Sequence, residues 1–131
     1  MPTKTVLVID DDAAHRSLLR DVLEGAGFGV IAVGDAADAL ARLPLEIDLV
    51  LLDLVMPRAT VDGFAFLSRA SARAQLGDTP VIVLSGLGES VIDALDPTTA
   101  TALRIVSVVS KPIDIDALLS RVRTALNEPG P

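Results

Sequence analysis

Five short apolar runs recur along the chain, and between most of them lie stretches whose apolar positions are spaced three and four apart. The runs cover residues 5–9 (TVLVI), 28–33 (FGVIAV), 48–52 (DLVLL), 80–84 (PVIVL) and 104–109 (RIVSVV). Short, rich in β-branched residues and apolar without strict alternation, they predict strands buried on both faces. After the first, Asp12 is placed to cap a helix carrying Leu18, Leu19, Val22 and Leu23, with Gly25 and Gly27 as its stop. Asp35 caps a short Ala-rich helix running to Leu43 and closed by Pro44. Residues 61–76 place Phe64, Phe66, Leu67 and Ala70 on a helical pattern. Residues 89–95 begin another helix, which Asp96-Pro97 interrupts and which restarts through Leu103. Asp114 caps a last amphipathic helix expected to turn Ile115, Leu118, Leu119, Val122 and Leu126 inward.

Doubly apolar strands alternating with helices imply a parallel sheet, because each parallel crossover needs a dozen or more residues and deposits a helix on one face or the other. The expected architecture is therefore α/β: a doubly wound, five-stranded parallel sheet with helices on both faces. Such sheets bind ligands outside the C-terminal ends of their strands. The expected domain is residues 1–127, followed by a flexible tail or linker stub at 128–131.

Composition narrows the function. With 131 residues there is room for one core. Half the residues are hydrophobic but only 2% are aromatic, so the core is aliphatic and base-stacking platforms are absent. A formal net charge of −7 repels nucleic-acid phosphates and anionic lipid, so neither direct nucleic-acid nor membrane binding is expected. No cysteine is present, which excludes thiolate catalysis and Cys-ligated metals. No apolar run approaches the roughly 20 residues of a membrane span, and a cytoplasmic protein is expected.

The ends of the strands carry the chemistry. Asp10, Asp11 and Asp12 follow the first, Asp53 the third, Ser85 the fourth and Lys111 the fifth. In a doubly wound sheet they converge on one edge. Carboxylates at about 4 Å repel by about 4 kcal/mol per pair at an effective dielectric near 20, so such a cluster calls for a cation. Oxygen-only donors, with neither a histidine nor a cysteine expected nearby, favour Mg²⁺ over zinc. For each residue alone a plainer role exists: an acid after a strand often only caps a helix, and a strand-end Ser or Lys is often solvated. His15, the one histidine, is expected to be a solvated residue of the first helix.

The segments VLVIDDDAAHRSLL (6–19), DLVLLDLVMP (48–57) with DGFAFL (62–67), PVIVLSG (80–86) and SKPIDIDALLSRV (110–122) together resemble the receiver domain of two-component response regulators. The resemblance spans nearly the whole chain and implies a flavodoxin-like sheet of order 2-1-3-4-5. It implies that Asp53 accepts a phosphoryl group from a histidine kinase or histidine phosphotransfer protein. It further implies that Asp11 ligates Mg²⁺ directly, Asp10 supports it through water, and Asp53 and the Val55 carbonyl complete the protein ligands. Lys111 would pair with the acceptor and then the phosphoryl oxygens, Ser85 would hydrogen-bond the incoming group, and the Lys111–Pro112 bond would be cis. An output domain or target protein is implied as a partner. A homodimer, if formed, would use the fourth helix, fifth strand and fifth helix.

Three departures from the family pattern stand out. MPRATVDG places four residues between Pro57 and Asp62 where two are usual, Val108 occupies the position of a switching aromatic, and Leu103-Arg104-Ile105 replaces a Gly-Ala ahead of the fifth strand. The first two support an alternative, a degenerate receiver that acts as an interaction module without phosphorylation. A haloacid dehalogenase-like phosphatase would also account for Asp10, Asp12, Ser85 and Lys111, but it leaves Asp53 unexplained and lacks its expected Thr and late acidic pair. Finally, Val55 and Leu87, two residues past Asp53 and Ser85, are apolar and cannot orient a hydrolytic water, which predicts a long-lived phosphoryl group.

Overall fold

A computed structural model describes residues 3–42, 47–53, 66, 76–86 and 104–127. Among them, five strands form one parallel sheet: β1 (Thr5–Ile9), β2 (Gly29–Val33), β3 (Leu49–Asp53), β4 (Val81–Ser85) and β5 (Ile105–Ser110), in the order β2-β1-β3-β4-β5. The helices are α1 (Ala13–Gly25), α2 (Ala36–Arg42) and α3 (Ile115–Ala125). The doubly wound sheet and its order agree with expectation. Val55, the helices expected over 61–76 and 89–103, and the tail at 128–131 lie outside the described residues, apart from Phe66 and Leu76, which are both buried in the core.

Side chains on a strand alternate between faces, so a strand apolar at every position feeds two cores. Leu7, Ile9, Val50, Leu52, Val81 and Val83 pack on one side with Ala36 and Ala39 of α2. Val6, Val8, Leu49, Leu51, Ile82 and Leu84 pack on the other with Leu19 and Leu23 of α1 and Leu118 and Val122 of α3. Burying each such aliphatic side chain contributes about 1.5–3 kcal/mol, which fixes both helical layers on the sheet.

Three helix starts behave as the capping pattern predicts. Asp12 accepts the backbone N–H of Ala14 and His15, Asp35 that of Ala37, and Asp114 that of Ala117. Beyond α1, Gly27 has φ +96°, a conformation that favours glycine and turns the chain into β2. The expected inward faces prove narrower than the sequence suggests. Leu18 and Ile115 are exposed, because each stripe is centred on two fully buried residues and these positions fall outside it.

The last three strands begin and end one residue later than the apolar runs. Asp48 precedes β3, its carboxylate accepting the Thr5 N–H at 2.7 Å. Pro80 precedes β4 and has no N–H to offer a ladder. Arg104 precedes β5 in a left-handed conformation, φ 59°, and pairs with exposed Asp78. Strand β5 lies at the sheet border and contains an irregularity: Ile105 pairs with Val81 and Ser107 with Ile82, leaving Val106 as an extra, exposed residue.

Candidate functional site

The parallel ladders continue past the apolar residues at the C-terminal edge, and that continuation assembles the site. Asp53 pairs with Leu84 and Ser85 with Ser110, so both belong to strands instead of following them. Asp10 N–H donates to Val33 O at 3.1 Å and Lys111 N–H to Ser85 O at 2.9 Å, so the ladder also fixes these two backbones. Period-two alternation then places Asp10, Asp53 and Lys111 on the side of the sheet covered by α1 and α3, and Ser85 on the other parity.

Asp10, Asp53 and Ser85 are buried, and for the two carboxylates burial is unusual without partners. Here both carboxylates have them. One oxygen from each of Asp10, Asp11 and Asp53 lies within 4.8 Å of the others. Lys111 Nζ stands 2.9 Å from Asp53 Oδ2, its side chain reaching in from the β5 end. The Lys111–Pro112 peptide bond is cis. Asp10 Oδ1 accepts the Asp12 N–H at 3.0 Å, and Arg16 Nη1 donates to the Asp10 carbonyl at 2.8 Å. No buried side-chain polar atom among the described residues is left without a hydrogen-bond partner.

The structure thus brings together Asp10, Asp11, Asp53, Ser85 and Lys111 on one edge. Val55 lies outside the described residues. Val108, at the position where the resemblance leads one to expect an aromatic, is a buried aliphatic packed with Val81 and Val83. One participant escaped sequence reasoning. His15 is half-buried instead of solvated, and its Nδ1 contacts Asp10 Oδ2. The cap at Asp12 fixes the first turn of α1, and side chains there lean toward the helix N-terminus, over the end of β1. The spacing of five residues between an acid and an imidazole across a capped helix start was the available signal.

Strand order and the converging acids place the protein first in the flavodoxin-like class, whose chemistry gathers at this edge of the sheet. Residues 6–123 match the family model of the response regulator receiver domain. The chain is 36% identical over 122 residues to the DNA-binding dual master transcriptional regulator RpaA of Synechocystis, covering 92% of this chain and 48% of that protein. It is likewise 36% identical over 121 residues to the transcriptional regulatory protein CpxR of Escherichia coli, again 92% and 48%. The solved receiver domain of the Francisella response regulator 1452 superposes with a TM-score of 0.78 at 27% identity, covering 95% of this chain and 98% of that one. The chain belongs to the response regulator receiver domain family, the signalling domains of two-component systems. It spans about half the length of these curated relatives. No helix among the described residues is long and apolar enough to cross a membrane.

Proposed function

We propose that this chain is a phosphorylation-dependent switch in which Asp53 accepts a phosphoryl group from a phosphohistidine of a kinase or phosphotransfer protein. The observation that carries this reading is the Lys111 ammonium 2.9 Å from a buried Asp53 carboxylate that also faces Asp10 and Asp11. Three carboxylates and one lysine leave excess negative charge, and the donor set is oxygen alone. Those features fit a hard divalent cation such as Mg²⁺, held by Asp10, Asp11 and Asp53, with the Val55 carbonyl as the remaining protein donor. When bound, the cation neutralises charge that develops on the transferring phosphoryl oxygens.

The chain's own residues do the rest. An Asp53 oxygen attacks phosphorus in line, the P–N bond to the donor imidazole breaks, and its electron pair stays on nitrogen. Lys111 then pairs with a phosphoryl oxygen and the Ser85 hydroxyl donates to another. Those two contacts exist only in the phosphorylated state, so they bias the chain after Ser85 together with β5 and α3. With Val108 too small to swing as an aromatic would, transmission runs through backbone and helix movement. Residues 1–127 form the receiver, and the greater length of the curated relatives suggests that a DNA-binding or other output unit is what it controls.

The test is intact mass after exposure to acetyl phosphate and Mg²⁺. Wild type should gain one phosphoryl mass and Asp53→Asn none. Equal gain by both would overturn the assignment of Asp53. No gain by wild type would favour a phosphorylation-independent interaction module, and continuous release of phosphate would indicate a phosphatase.

A further inference from the structure

Asp10, Asp12 and His15 form a closed ring of contacts at the junction of β1 and α1. Asp12 Oδ1 accepts the N–H groups of Ala14 and His15 at 2.9 and 3.1 Å, and the Asp12 N–H donates to Asp10 Oδ1 at 3.0 Å. The His15 side chain closes the ring, Nδ1 on Asp10 Oδ2. The Asp10 side chain is only 1% exposed and that of His15 20%, so the contact is shielded from water. An ionised carboxylate offers lone pairs alone, so Nδ1 carries the hydrogen and donates. Both Asp10 oxygens are therefore held, one by backbone and one by imidazole, and each keeps a lone pair. The imidazole is not among the donor atoms that converge within 4.8 Å. Its side chain contacts Asp10, which is itself a member of that group.

We propose that His15 is a positioning residue for the divalent-cation site, fixing the orientation in which Asp10 presents its carboxylate to the Asp11–Asp53 pair. The proposal rests on the reading of that triad as a cation site. Partners behind a ligating group set its angle, and their loss typically weakens metal binding by about 10–100-fold. Without His15, a buried carboxylate retains one backbone bond and rotates about its last side-chain torsion, so the triad no longer converges. The opposite arrangement is also physically defined: an imidazole that competed with the cation for Oδ2 would weaken binding, and its removal would tighten it.

The two are separated by Mg²⁺ titration calorimetry on wild type, His15→Ala, His15→Leu and His15→Asn, with urea midpoints in EDTA as the folding control. Asn places an amide nitrogen on the same γ carbon that bears Nδ1, and so keeps the donor; Leu keeps bulk without one. His15→Ala and His15→Leu should each weaken Mg²⁺ binding about tenfold or more, and His15→Asn should stay within about threefold of wild type. If Ala does not fold, the Leu and Asn pair decides the matter alone. Binding unchanged or tighter in the Leu variant, or an Asn variant as weak as Leu, would overturn the role of His15. Wild type that fails to bind Mg²⁺ would overturn the cation site itself, a distinct outcome.

Discussion

Replacing Asp53 by Asn changes one carboxylate oxygen to an amide nitrogen with almost no change in volume, so its effect on stability is chiefly electrostatic. Asp53 faces Asp10 and Asp11 with oxygens within 4.8 Å and Lys111 at 2.9 Å. At an effective dielectric of about 20, each carboxylate pair at that spacing repels by about 3.5 kcal/mol, and the lysine attracts by about 6 kcal/mol. Removing the charge thus relieves about 7 kcal/mol of repulsion and forfeits about 6 kcal/mol of attraction. Near-cancellation is the expected outcome, tipped toward the variant because a buried neutral amide also costs less desolvation than a carboxylate. In EDTA, Asp53→Asn should be between equal in stability and about 2 kcal/mol more stable, read as a urea midpoint at unchanged m. Mg²⁺ should reverse the order. A cation at 100 times its dissociation constant stabilises the folded state by about 2.7 kcal/mol, and the variant, lacking one ligand, should gain far less. A variant that loses more than about 2 kcal/mol in EDTA would show that the Lys111 contact outweighs the crowding of acids, contrary to the balance worked here. An undiminished response to Mg²⁺ would remove Asp53 from the cation site.

Two further expectations follow from particular residues. Arg104, left-handed at φ 59° and with its side chain paired to exposed Asp78, should tolerate glycine with a change within about 0.5 kcal/mol, whereas Arg104→Val should cost about 1–2 kcal/mol by thermal denaturation, since a β-branched residue fits that conformation poorly. The phosphorylated protein, with Val55 and Leu87 offering no polar group to a water, should lose its phosphoryl group slowly by timed intact-mass measurement; loss within seconds would contradict that reading.

Much of the fold was legible because each strand is apolar at nearly every position, a pattern that parallel sheets covered on both faces produce and few other folds share. The three Asp caps were legible for a local reason: a short acid ahead of an apolar helical stripe is well placed to accept the free N–H groups of the first turn. Strand limits were less so. Nothing in a one-dimensional pattern shows that the Asp48 carboxylate is occupied by the Thr5 N–H, 43 residues away, or that the ladder carries on through Asp53 and Ser85. Convergence of Asp10, Asp53 and Lys111 could be inferred from topology, whereas the contact between His15 and Asp10 depends on the angle at which α1 leaves β1. That angle is set by packing of Leu19 and Leu23 against the sheet, a property of the assembled core.

The extra residue at Val106 has a consequence for how this molecule meets others. A border strand offers unpaired N–H and C=O groups to any extended segment that drifts past, and a flat, regular one is an invitation to endless growth. Here an arriving chain would lose step between Ile105 and Ser107, so among the described residues this border of the sheet is a poor template for a sixth strand, and a neighbour meeting β5 gains more from its side chains than from its backbone.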